Sequence, residues 1–117
     1  MPLKFFYTDY CEGKSVGTPS VWPRQLDGIL HSMDCVLHMP DNFCGIVNNR
    51  GQTLQFVVEA NRTITADVPV LDGAGKYEGS YVRNGSLAEC LQIVKALNEE
   101  TDFTSIGGLV YQAAPVG

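Results

Sequence analysis

His31, Cys35 and His38 fall at i, i+4 and i+7. On one continuous helix they would share a face and, with Asp34 or Cys44 nearby, form a ligand set for zinc or copper. Pro40 and the β-leaning run Cys35-Val36-Leu37 argue for a break near residue 34 that scatters the three. The expectation is therefore no metal and no cofactor. Gly73-Ala74-Gly75-Lys76 has the outline of a phosphate loop. However, Val70 stands where such a loop needs its first glycine, and Tyr77 stands where it needs Ser or Thr. A nucleophilic pair would have to join His31 or His38 to Cys11, Cys35 or Cys44. Paired carboxylates for acid–base work would come from Asp67, Asp72 and Glu78. None of these sets has the spacing of an active site, and the expectation is a protein that is not an enzyme.

The same three carboxylates support a different reading. With Tyr77 and Tyr81 they gather around one hairpin end, where aromatic side chains anchor interfaces and acidic groups meet basic partners. Asp67, Asp72, Tyr77, Glu78 and Tyr81 are the expected contact surface for a protein partner. The competing surface lies around Asp41 and Asn48–Arg50, taken to be the opposite end of the sheet. Trp22 and Tyr111 are further aromatics of interest, Trp22 doubling as an apolar lid on the first helix.

Charge narrows the partner. The net charge is −5, with a sequence pI near 4.8, and the excess is spread along the chain without a basic patch. Nucleic acids and anionic membranes bind clustered Lys and Arg, so neither is an expected partner. With 44% hydrophobic and 18% charged residues, the 117-residue chain has the composition of one globular domain. No run approaches the ~18 apolar residues of a membrane-spanning helix. The first six residues also lack the basic start and long apolar stretch of a signal peptide, which points to the cytoplasm. Of Cys11, Cys35, Cys44 and Cys90, no two form a Cys-x-x-Cys pair, and all four are expected as free thiols.

The elements that must position these residues follow from periodicity. Leu3–Tyr10 reads as a strand, and residues 11–19 have loop composition. A helix is expected over about 21–33, with Ser20 as N-cap, Pro23 in its first turn and Leu26, Ile29, Leu30 and Met33 on its apolar face. Short strands follow at Cys35–Met39 and Phe43–Val47. Residues 53–60 alternate with Leu54, Phe56, Val58 and Ala60 on one face, and 63–70 do so with Ile64, Ala66, Val68 and Val70. Asn61-Arg62 turns the chain between them, while Pro69 ends the second strand or puts it at an edge. Tyr77–Arg83 and Leu109–Ala113 read as further strands. Ser86 and Glu89 form a capping box that opens a helix to about Glu99, with Leu87, Cys90, Leu91, Val94 and Leu97 as its buried stripe. The sum is α+β: an antiparallel meander with two helices on one face.

This layout, carried by Leu26–Met33, by the hairpin from Gly51 through Val68 and by Ser86-Leu87-Ala88-Glu89-Cys90-Leu91, resembles the immunity proteins of bacterial polymorphic and contact-dependent toxin systems. The resemblance implies a cytoplasmic, non-enzymatic protein that binds and blocks a basic toxin domain. It transfers no functional residue. The alternatives are a small-molecule or metal-binding domain that uses the space between helix and sheet, and a small enzyme.

Overall fold

Alternation of apolar and polar residues in the middle of the chain decides the architecture. The computed structural model describes residues 3–10, 13–16, 22–24 and 26–113. In chain order they form β1 (Leu3–Asp9), β2 (Lys14–Val16), β3 (Trp22–Arg24), α1 (Leu26–Val36), β4 (Phe43–Val47), β5 (Thr53–Val58), β6 (Ile64–Leu71), β7 (Tyr77–Gly85), α2 (Leu87–Lys95), a 3-10 turn (Phe103–Ser105) and β8 (Val110–Ala113). The strands make one antiparallel sheet in the order β2-β1-β4-β5-β6-β7-β8, with β3 on the same edge of β1 as β2. From β4 to β8 every strand pairs with the next, which is the expected meander extended by two strands.

Register puts one continuous apolar surface under the helices. Phe5 lies opposite Ile46, and Ile46 opposite Leu54; Tyr7 aligns with Cys44, Phe56 and Ala66 in turn. Leu54, Phe56, Val58, Ile64, Ala66 and Val68 are all at most 1% exposed. Ala60 does not join them, because β5 ends at Val58 and Ala60 sits exposed in the turn. Both helices bury their stripes here: Ile29, Met33 and Val36 from α1, and Cys90 and Val94 from α2 with Leu97 just beyond. Leu91 is only partly buried at the margin of this core. No helix among the described residues is long and apolar enough to cross a membrane.

The first helix departs from its expected place. Trp22 and Pro23 lie in β3, where Pro23 pairs opposite Lys4 on an edge strand that tolerates its missing N–H. Ser20 lies outside the described residues. At its other end α1 runs on through Cys35 and Val36, so the expected strand Cys35–Met39 does not form. Burial explains the extension: Val36 and Leu37 are both nearly inaccessible, and that packing overrides their β-leaning. A buried amide then fixes the helix end. Asn42 Nδ2 donates to the Val36 carbonyl (2.8 Å) and to Asp9 Oδ1 (2.9 Å), while Asn42 Oδ1 accepts from the Tyr10 amide (2.8 Å).

The second helix begins as expected. The Ser86 hydroxyl accepts from the Glu89 amide, and the Glu89 carboxylate accepts from the Ser86 amide. These bonds, with the Arg83 guanidinium paired to the same carboxylate, hold Glu89 below the usual carboxylate range. Asp102 is lowered too, chiefly by the Gln52 side chain (2.8 Å) and then by Thr104.

Two outcomes follow from this packing. Ile29→Ala removes a fully buried side chain and should cost about 2–5 kcal/mol in denaturant melts. Leu91→Ala should cost less, and the reverse order would place the core elsewhere. The second outcome concerns acid. Glu89 and Asp102 bind protons less tightly folded than unfolded, so their stabilisation is complete above the ordinary carboxylate range and is lost as pH falls through the lowered values. Melting temperature should therefore drop on acidification below pH ~4, and less steeply in Glu89→Gln. Equal slopes in wild type and variant would show that the cap carries no linked proton.

Candidate functional site

The hairpin joining β6 to β7 is where the expected contact residues fall, and its loop is built by one of them. Asp72 Oδ1 accepts from the amides of Ala74 (2.8 Å) and Lys76 (3.0 Å), and the Asp72 amide donates to the Lys76 carbonyl (2.8 Å). Gly75, at φ 82°, supplies the left-handed residue the loop requires. Within Gly73–Lys76 the Ala74 and Lys76 amides are taken by that carboxylate and the Gly75 amide by the Asp72 carbonyl (2.9 Å), so these three do not cradle a phosphate.

Tyr77, Glu78 and Tyr81 follow on β7. Tyr77 is 48% exposed, and its hydroxyl shares a hydrogen bond with Ser80 Oγ (2.6 Å). Glu78 is exposed. Tyr81 lies opposite Val68 on the helix-bearing face, half-buried, with its ring 5.2 Å from that of Tyr111 on β8. Tyr111 crosses above Gly79 and donates to the Glu78 carbonyl (3.2 Å). A Cβ on Gly79 would stand 2.5 Å from that hydroxyl, so only glycine leaves room. Partial burial, with Glu78 and the two neighbouring tyrosines, raises the Tyr111 phenol above its ordinary value.

Asp67 separates from the others. It lies opposite Gln55 and Val82 on the face away from the helices, whereas Tyr81 lies on the face toward them. Its Oδ1 is buried without a hydrogen-bond partner. The five residues thus neither share a face nor all lie at the hairpin tip.

Leu71 was not foreseen at this end, and Tyr111 was singled out only as a further aromatic. Leu71 (61% exposed) and Tyr111 (42%) join Tyr77 as exposed large apolar side chains toward this end, while the exposed Val110 (64%) lies opposite Val82, farther along β7 and on the face away from the helices. Pairing of β5 with β6 stops at Gln55–Asp67, two residues before Pro69, while β6 continues along β7 to Leu71. Pro69 therefore lies inside the strand, at the point where one of its flanks opens. A cleft of about 350 Å³ fills the gap, lined by Gln52, Thr53, Pro69, Leu71 and Thr104 among others.

That cleft shows that the turn at residues 48–52 lies beside the β6–β7 tip, at the same end of the sheet and not the opposite one. Asp41, whose amide donates to the Val58 carbonyl (2.9 Å), is at the other end. The 48–52 turn is fastened to residues 98–103. Asn48 Nδ2 donates to the Thr101 carbonyl (2.7 Å), Asn49 Nδ2 to Glu100 (2.7 Å) and the Phe103 amide to Gln52 Oε1 (2.8 Å). These bonds carry Glu99, Glu100 and Asp102 to the end that already holds Asp72 and Glu78. The sequence run Asn98-Glu99-Glu100-Thr101-Asp102 was the available signal, but its position depends on contacts some fifty residues apart.

The motifs for chemistry resolve separately. Among the described residues, no group of three or more His, Cys, Asp or Glu could hold a metal ion. Cys44 and Cys90 are buried free thiols; burial pushes Cys90 up to about 11 and Cys44 higher still, so neither is a nucleophile at neutral pH. Cys11 lies outside the described residues. A groove of about 440 Å³ runs between α2 and residues 101–107, floored by Ile93, Leu97 and Ile106, with the Arg83–Glu89 pair at its rim. Compared with protein-family models, curated proteins and solved structures, the chain gives no match.

A thiol reagent should label the exposed Cys35 of the native protein and leave Cys44 and Cys90 untouched until denaturant is added. Rapid native labelling of either core cysteine would contradict the packing described.

Proposed function

We propose that this protein works by stoichiometric binding rather than turnover. In this reading it is a cytoplasmic protein that docks the β6–β7–β8 end of its sheet on a basic protein partner, in the manner of an immunity protein blocking a toxin domain. The observation that carries the reading is the exposure of Leu71, Tyr77 and Tyr111 toward one end of the sheet, beside β8, the last strand, whose outer edge no described strand pairs. Exposed aromatic and aliphatic side chains beside an open strand edge are costly to leave uncovered and are common anchors of interfaces.

Charge gives the partner its sign. Asp72, Glu78, Glu99, Glu100 and Asp102 ring this end, against Arg50 and Lys76. Such a field speeds encounter with a basic surface and weakens with salt. The groove along α2 favours a second reading, in which a small apolar molecule is the ligand, since its volume is within the range of ligand sites.

Glu78 is the residue to change, because it is exposed, whereas Asp72 also holds its own turn together. Glu78→Lys should slow association with the partner severalfold at low salt and leave the melting temperature unchanged. Glu59→Lys, the same charge change at the opposite end, should leave association as it was. Equal effects of the two would remove the β6–β7–β8 end from the interface. Catalytic turnover abolished by one polar substitution in a folded variant would overturn the binding reading itself.

A further inference from the structure

Because α1 continues through Val36, His31 and Cys35 lie one turn apart on an unbroken helix, and both are exposed. His31 Nε2 stands 3.8 Å from Cys35 Sγ. Zinc–nitrogen and zinc–sulfur bonds of ordinary length, set at a tetrahedral angle, place the two donor atoms about 3.6 Å apart. The pair is thus already close to the bite a tetrahedral zinc ion requires. His38 does not belong to it, because it lies past the helix end and its Nε2 is bonded to the Asp34 carbonyl.

The geometry points to a half-site for zinc on α1, His31 and Cys35, completed by the same two residues of a second copy of this chain. Two donors alone leave half the coordination shell open, and the described residues of one chain offer no third ligand. Two copies related by a two-fold axis supply two imidazoles and two thiolates, the N₂S₂ set of closed structural zinc sites. Each thiol gives its proton to solvent as sulfur bonds the metal, and the two thiolates neutralise the ion. Imidazole and thiolate donors also select against calcium and magnesium, which take oxygen ligands.

Charge on the same helix makes the association depend on the metal. Asp27 and Asp34 are exposed on α1, which contains no Lys or Arg. Two such helices repel when brought together, so without the metal–ligand bonds nothing on this face holds them against that repulsion. The site is separate from the β6–β7–β8 end: α1 packs over β1 and β4, so it does not rest on the binding reading above.

The test uses the full chain, stripped of metal and kept in a non-thiol reductant so that no disulfide links two copies. Zinc is titrated while mass is followed by sedimentation, and cobalt is substituted to read thiolate coordination by its charge-transfer absorption. The expected result is one metal per two chains, a dimer that a chelator returns to monomer, and a cobalt–thiolate band. His31→Gln and Cys35→Ser should each weaken metal binding about tenfold or more, since even removing an outer partner of a ligand reaches that loss. Both positions are exposed, so the melting temperature should hold. A dimer without metal, one metal per chain with unchanged mass, or a cobalt–thiolate band that survives Cys35→Ser would each overturn the proposal.

Discussion

A slip of one residue in any pair joining β1, β4, β5 and β6 would turn that strand's buried side chains toward water and its polar ones toward the helices. Phe5, Ile46, Leu54, Phe56 and Ile64 share a face only in the observed register. The two helices have no other surface on which to bury Ile29, Met33, Cys90 and Val94, so their positions follow from the same pairing. On the opposite face the Phe6 ring lies over Gly45, where any Cβ would force the ring to move. Side-chain alternation on one face and close ring–backbone approach on the other therefore specify a single alignment.

Polar groups are used to lock what the apolar core leaves free. Asn42 joins the end of α1 to β1 at one end of the sheet. Asn48 and Gln52 join the 48–52 turn to residues 101–103 at the other. Buried amides of this kind stabilise through several bonds at once and are costly to strip of a partner. The second network also shapes the surface, because it holds the 98–102 carboxylates next to the β6–β7 tip. Structure and electrostatics at that end share the same hydrogen bonds.

The central hairpin and the capped helix were legible because their signals are local. Alternation in 53–58 and 64–68 and the Ser86–Glu89 box need no distant contact to be read. The start and end of α1 were not legible in the same way. Pro23 suits a first helical turn as well as an edge strand, and pairing with β1 decided between them. Cys35-Val36-Leu37 leans toward β structure, yet burial of Val36 and Leu37 kept Cys35 and Val36 in the helix and carried Leu37 into the turn after it. At the β6–β7 tip, Tyr77 and Glu78 were placed together by their nearness in sequence. Leu71 and the acidic 98–102 run were missed, since strand pairing and long-range hydrogen bonds place them there. Asp67 and Tyr81, adjacent in the reading, are divided by the sheet itself.

The central functional claim is that a partner covers the β6–β7–β8 end. Amide hydrogen exchange compared between the free protein and its complex with a basic partner tests this most directly. Added protection is expected at residues 71–82 and 110–113, with the turn at 59–63 and the exposed side of α1 unchanged. Protection centred on 59–63 or on α1, with the β8 amides exchanging as in the free protein, would contradict it.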